Sequence, residues 1–278
     1  NTRSRRSNSR NSNVQDARPL ITLLTDFGER DCFVASMKGV ILSINSTAAV
    51  VDLSHQIASH QIQEAGYFLK SCYRYFPAGT IHVAVVDPGV GTERRALLVS
   101  AAGSFFVGPD NGLFSELLEQ EQGAKIWQIV NQDYRLETIG STFDGRDVFA
   151  PAAAWLSKGV PPAFFGPVVQ DPIHRSVAIP VWHEEVLIGR IVSVDRFGNL
   201  ISNITARQVR EFRAVGGQSL EIYVGAYVIN DLVGSYSQGN RESPSALINS
   251  SENLEIFLQE DSAARCLQVG VGEEVRLC

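Results

Sequence analysis

Residues 20–44, LITLLTDFGERDCFVASMKGVILSI, carry a short apolar run, a polar turn and an apolar-periodic segment in immediate succession. Ile21 to Asp26 has the length and β-branched content of a buried strand. From Phe33 to Ile44 apolar residues recur every three or four positions, the period of a helix with one face in a core. The same alternation continues downstream. Strands are expected at Ala49 to Leu53, Ile81 to Asp87, Ala96 to Ser100, Phe105 to Gly108 and Ile126 to Val130, and helices at Gln61 to Tyr75, Leu113 to Glu121 and Val148 to Leu156. This order predicts an α/β fold, with an N-terminal three-layer α/β domain around a largely parallel sheet.

The pattern changes after Gly159. Pro161, Pro162, Pro167, Pro172 and Pro180 fall too densely for a helix interior or a central strand, so the chain is read as a linker from about 161 to Trp182. Beyond it come strand-like runs, Val186 to Val194, Leu220 to Val228 and Leu254 to Leu258, with little helical periodicity. The expected organisation is an α/β domain over 20–182, linker included, and a smaller C-terminal mostly-β, barrel-like domain over 183–278.

Residues 1–19 set Arg3, Arg5, Arg6, Arg10 and Arg18 among Ser and Asn with only Asp16 opposing them, which reads as a disordered basic leader. A targeting peptide, or a truncated or processed start, is the alternative. Without that leader, 19 basic residues face 29 acidic ones, so the folded part carries about −10 and nucleic acid is not the expected partner. An apolar share of 44% is ordinary for a globular chain, and no apolar run has the length to span a bilayer. Cys32, Cys72, Cys266 and Cys278 lack C-x-x-C spacing, and His55, His60, His82, His174 and His183 lack the spacing of a metal site. A reducing cytoplasm and a chemistry without metal or cofactor are expected.

In open α/β sheets ligands bind at the carboxyl ends of strands. Three polar stretches sit there: Thr25 to Asp31, Asp87 to Arg94, and Gly108 to Gly112. Gly89 and Gly91 suggest a dinucleotide fingerprint, but Arg94 stands where a third glycine belongs and a strand follows in place of a helix, so a tight turn is the alternative. No P-loop and no G-x-S-x-G elbow occurs.

Seven segments in order, LLTDFGERDCFVASMKGVI (23–41), VVDLSHQI (50–57), VAVVDPGVGTERR (83–95), VGPDNGLF (107–114), STFDGRDVFAPAAAWL (141–156), VDRFGNLISNI (194–204) and ALINSS (246–251), resemble the S-adenosylmethionine hydroxide adenosyltransferases, also called S-adenosylmethionine hydrolases, relatives of the fluorinase and chlorinase. The resemblance implies hydrolysis of S-adenosyl-L-methionine to adenosine and L-methionine by water attack at the 5′ carbon. It implies that Asp26 binds the ribose hydroxyls, that Asp31 and Asp195 hold the methionine ammonium, that Phe197 stacks on adenine while Asn199 pairs with its edge, and that Ser250 faces the methionine carboxylate. It also implies a homotrimer with sites between subunits. Asp87 and Arg94 match two members of a water-placing trio, and Asp144 stands where the family has His.

Each residue also has a structural alternative. Asp26 and Asp31 would cap the helix beginning near Phe33, Asp195 would stabilise the turn through Asn199, Phe197 would be core, and Asp87 with Arg94 would be a structural salt bridge. Asp87 and Asp144 in one small pocket disfavour double ionisation, so one of them is read as the replacement proton donor. Two further functions stay open: an S-adenosylmethionine- or adenosine-binding protein impaired by the loss of His, and a halide-using adenosyltransferase. Asp87 speaks against the latter, because the halogenating relatives carry an aromatic residue there.

Overall fold

From Ile21 onward every residue of β1 (Leu20–Thr25) is buried, so the strand has apolar neighbours on both faces and belongs at the centre of a layered sheet. The computed structural model describes residues 18–137, 140, 142–175, 179–216 and 220–278; the leader, up to residue 17, lies outside the described residues. After β1 come α1 (Phe33–Ile44), β2 (Ala49–Ser54), α2 (Ile62–Cys72), β3 (Ile81–Val85), β4 (Ala96–Ala101), β5 (Ser104–Pro109), α3 (Ser115–Gln120) and β6 (Lys125–Gln128). A π-helical turn, Gly145–Phe149, then runs directly into α4 (Ala150–Ser157).

The sheet order is β2-β1-β3-β5-β4-β6. The β1/β2, β1/β3 and β3/β5 pairs are parallel, and β4 runs antiparallel to β5 and β6. Ile21, Leu23, Val83 and Leu98 pack on one side with Met37 and Ile41 of α1 and with α4. Leu24, Ala84, Leu97 and Phe106 pack on the other with Leu69 of α2 and Leu117 of α3. The expected three layers are thus present.

The second part contains β7 (Val181–His183), β8 (Val186–Val194), β9 (Leu200–Thr205), α5 (Ala206–Gly216), β10 (Glu221–Val224), β11 (Tyr227–Asn230), β12 (Ser245–Ile248), β13 (Asn253–Phe257), α6 (Ala263–Leu267) and β14 (Glu274–Leu277). Its sheet runs β11-β10-β14-β8-β9-β13-β12, with β7 added on β8, and every described pair is antiparallel. It curls in a barrel-like manner around Leu187, Ile204, Ile222 and Ile256, as expected. The run Leu220 to Val228 is not one strand: Gly225, with φ at 55°, reverses the chain between β10 and β11. Helix α5 is an addition to the expected β content.

The proline-rich connection is fastened to the first sheet. Arg95 donates to Asp110 and to Asp171, 2.7 Å each, and the buried Asp110 carboxylate also accepts from the Ile173 amide at 2.7 Å. This uses Asp110, one of the strand-end acids, in holding the connection. Helix α2 lies against β8, so the two parts touch within one chain.

Candidate active site

The chain runs from β1 to β2 on one side of β1, then crosses to β3 on the other. Such a reversal splays the loops at the strand ends and opens a crevice between β1 and β3. Turn 25–28 rims it from β1, with Gly28 at a φ of 68° that a side chain would strain. No side chain caps α1 at Cys32, so the helix-cap alternative fails for Asp26 and Asp31. Asp26 instead accepts from the His60 amide at 2.9 Å, and Asp31 lies exposed just before α1.

Behind this turn is a polar chain. Thr25 Oγ1 lies 2.8 Å from His55 Nδ1 and accepts from the Phe27 amide at 3.2 Å. His55 Nε2 lies 3.0 Å from Asp52 Oδ1, poorly aligned, and Lys38 donates to Asp52 Oδ2 at 2.5 Å. Partial burial works against the Asp52 carboxylate, but its bonds from Lys38 and His55 outweigh that and lower its pKa. The Gly28 amide donates to the His55 carbonyl at 2.8 Å.

At the end of β3 the loop 87–94 is the tight turn considered for Gly89 and Gly91: Thr92 bonds Gly89 O through both its amide and its hydroxyl, and Gly91 has a φ of 80°. The turn folds Arg94 back onto Asp87. Arg94 Nε donates to Asp87 Oδ2 at 2.8 Å, its Nη2 also meets that oxygen, and the same Nη2 donates to Asp144 Oδ2 at 2.5 Å. Gly89 N donates to Asp87 Oδ1 at 3.2 Å. The Phe149 ring lies 5.2 Å from the guanidinium carbon.

Asp87, Arg94 and Asp144 are therefore brought together. The two acids are not equivalent, because the Asp144 side chain is 21% exposed and Asp87 only 4%. Both lie on a cavity of about 120 Å³ walled by Phe27, Phe33 and Phe143, and Asp144 is the more exposed of the two. The three rings meet edge to face with centroids 5.1 to 5.8 Å apart.

Arg135 went unread in the sequence. Its Nη2 donates to the Ile129 carbonyl at 2.7 Å, while its buried Nε has no hydrogen-bond partner. Burial lowers its pKa, the charge of Asp144 opposes that, and Arg94 adds to the lowering, so Arg135 is a second cation within electrostatic reach of the cluster. No spacing signal marked it. His55 had one, its place directly after a strand run.

A second group forms in the C-terminal part. Asp195 Oδ1 accepts from the Phe197 and Asn199 amides at 2.9 and 2.8 Å, and its Oδ2 accepts from Asn199 Nδ2 at 2.8 Å, so the turn-stabilising alternative describes a real contact. Phe197 is 76% exposed and is not core. Asp195, Phe197 and Asn199 line an open cavity of about 610 Å³ together with Tyr236 and Phe257. The Tyr236 hydroxyl donates to buried Glu255 at 2.6 Å, and burial, that bond and the charges of Glu255 and Asp195 push its pKa up. Glu255 also accepts from Asn249, which shapes the turn carrying exposed Ser250. Asp87 and Asp195 thus line two different cavities of one chain, and Ser250 lines neither.

Family models described as the SAM hydroxide adenosyltransferase N-terminal and C-terminal domains match residues 21–166 and 189–276. An (R)-S-adenosyl-L-methionine hydrolase from Thermus thermophilus is 36% identical over 265 residues, which cover 92% of this chain and 98% of that protein. A fluorinase from Actinopolyspora mzabensis is 27% identical over 234 residues, 74% of this chain and 78% of that protein. An uncharacterized conserved protein from Thermotoga maritima has a solved structure that aligns with a TM-score of 0.86 and 29% identity, over 93% of this chain and 99% of that one.

Proposed function

The chain belongs to the SAM hydroxide adenosyltransferase family, and we infer that it is an enzyme hydrolysing S-adenosyl-L-methionine to adenosine and L-methionine. The observation that carries its chemistry is the Asp87–Arg94–Asp144 cluster beside a small aromatic-walled cavity. The sulfonium is a leaving group that needs no protonation. Water forms the O–C5′ bond as the C5′–S bond breaks, the electron pair passes to sulfur, and the surplus proton of the attacking water goes to a carboxylate. What the protein supplies is a placed, partly desolvated nucleophile opposite sulfur.

Asp144 is the better candidate for holding that water, since it is the more exposed acid on the cavity while both oxygens of Asp87 are engaged by Arg94 and Gly89. Asp87 keeps Arg94 oriented. Two carboxylates at this spot disfavour a halide as nucleophile. The reading places the ribose on Asp26, the methionine ammonium between Asp31 and Asp195, its carboxylate at Ser250, and adenine against Phe197 and Asn199. Because the two cavities draw on different parts of the chain, a homotrimer with sites between subunits fits this placement. No metal or cofactor has a step in the scheme. Four unpaired cysteines support a reducing cytoplasm, and among the described residues no helix is long and apolar enough to cross a membrane.

The relative's name specifies the (R) sulfur epimer, and we extend that preference to this chain. Incubating the purified protein with each epimer in labelled water tests the scheme. Adenosine carrying the label at its 5′ hydroxyl is the expected product, from the (R) epimer. Asp144 in the place of His keeps one other reading in view, a binding protein with impaired chemistry. Tight binding of substrate with no turnover of either epimer would establish it.

A further inference from the structure

His55 is 4% exposed, lies outside the Asp87–Arg94–Asp144 cluster, and takes no part in the scheme above. Its hydrogen bonds fix a direction. The Asp52 carboxylate can only accept, and it lies 3.0 Å from His55 Nε2, so the ring proton belongs on Nε2; Lys38 donates to the same carboxylate at 2.5 Å. Nδ1 is then an acceptor, and the Thr25 hydroxyl donates to it at 2.8 Å while its oxygen accepts from the Phe27 amide at 3.2 Å. The backbone repeats the link, since Gly28 donates to the His55 carbonyl and His60, at a φ of 68°, donates to Asp26 Oδ2. Both faces of the Thr25–Gly28 turn are thereby tied to the loop after β2.

We propose that His55 is a positioning residue for the adenosyl group: through Thr25 it fixes the turn that carries Asp26 and Phe27. This rests on the reading that Asp26 binds the ribose diol. A carboxylate receives two hydroxyls well only when its plane is fixed beforehand, so loosening the turn weakens ribose binding without touching the reacting atoms. Surface residues Lys38 and Asp52 set the ring's tautomer from outside the site.

The test is calorimetric binding of adenosine and of 2′,3′-dideoxyadenosine to the full chain. Thr25→Val, equal in volume but without the hydroxyl, and His55→Phe should each weaken adenosine by about tenfold, and together by little more than either alone. His55→Asn, whose amide oxygen replaces the Nδ1 acceptor, should stay within about threefold of the parent. The dideoxy ligand should bind all of these proteins with the parent's affinity for it. Lowered melting temperature with unchanged adenosine affinity, or losses in the two variants that simply add, would overturn the proposal. Asp26→Ala separates the two claims: if it binds adenosine as the parent does, the ribose reading falls first. If it loses adenosine while Thr25→Val and His55→Phe do not, the ribose reading stands and the role of His55 is refuted.

Discussion

Arg94 holds two carboxylates at once, which places a formal −2 against one guanidinium until Arg135 is counted. With Arg135 the four side chains sum to zero, the same sum that Asp, Arg and a neutral His would give. Asp144→Asn removes the group that takes the proton while keeping its size, so turnover should fall by about 10²-fold with substrate affinity retained. Asp144→His should equal or exceed the parent rate, with activity rising through a pH of about 6.5. Arg135→Gln should slow the parent by about tenfold yet slow Asp144→His much less, because the second acid is gone. Turnover of the five proteins, the Arg135→Gln, Asp144→His double variant included, at pH 6 to 8 checks the set. A fully active Asp144→Asn would make position 144 structural. Asp87 and Arg94 were legible because they lie seven positions apart across one local turn. Arg135 and His55 reach the site through tertiary contacts, which leave no periodic trace in a sequence.

Strand β3 carries a buried group that the chemistry does not use. His82 is fully buried, bonded to Thr22 at 2.8 Å and stacked on Phe106 at 5.1 Å, and burial lowers its pKa to about 4. A depressed imidazole favours the fold while neutral, so its contribution is complete above about 6.5 and is lost as pH falls toward 4. The loss reaches about 2 kcal/mol by pH 5. His82→Phe keeps the ring stack, and its unfolding free energy should therefore change less between pH 7.5 and 5 by about that amount. Equal pH dependence in denaturant titrations would contradict this. The π turn before α4 is a second element-level device. A Cβ on Gly145 would meet Phe143, Met37 and Phe27 at 3.0, 3.2 and 3.3 Å. Gly145→Ala should cost about 1 kcal/mol of stability and lower kcat/KM by about tenfold as the cavity wall shifts. Apolar spacing showed a helix from Val148 but not this turn, since Phe143, Asp144 and Gly145 are placed by their contacts. Helix α5 gives a weak apolar signal because its described buried face is only Ala206, Val209 and Phe212 among four charges.

At the scale of the molecule, the residues of the proposed site divide between two cavities of one chain. The cavity at Asp87 is lined by none of Asp195, Phe197 and Asn199, and the cavity at Phe197 has no residue of the Asp87–Arg94–Asp144 cluster. Exposure of Phe197 at 76% is costly for an isolated ring and is relieved when a ligand or a second chain covers it. If the proposed assembly joins the first half of one subunit to the second half of its neighbour, the halves can be supplied by different chains. A protein carrying Asp87→Asn and Asp144→Asn and another carrying Asp195→Asn and Phe197→Ala should each be nearly inactive. Neither substitution set touches the buried cores around Leu23 or Ile204, so both chains should fold. After dissociation, mixing at equal amounts and reassembly, random pairing around a ring gives roughly a quarter of the sites two intact halves. Activity near that fraction of the parent is the expected result, together with a sedimentation mass of three chains. Recovery of no activity, from mixtures shown by mass to have exchanged subunits, would mean that each chain completes its own site and that the two cavities close on one another within it.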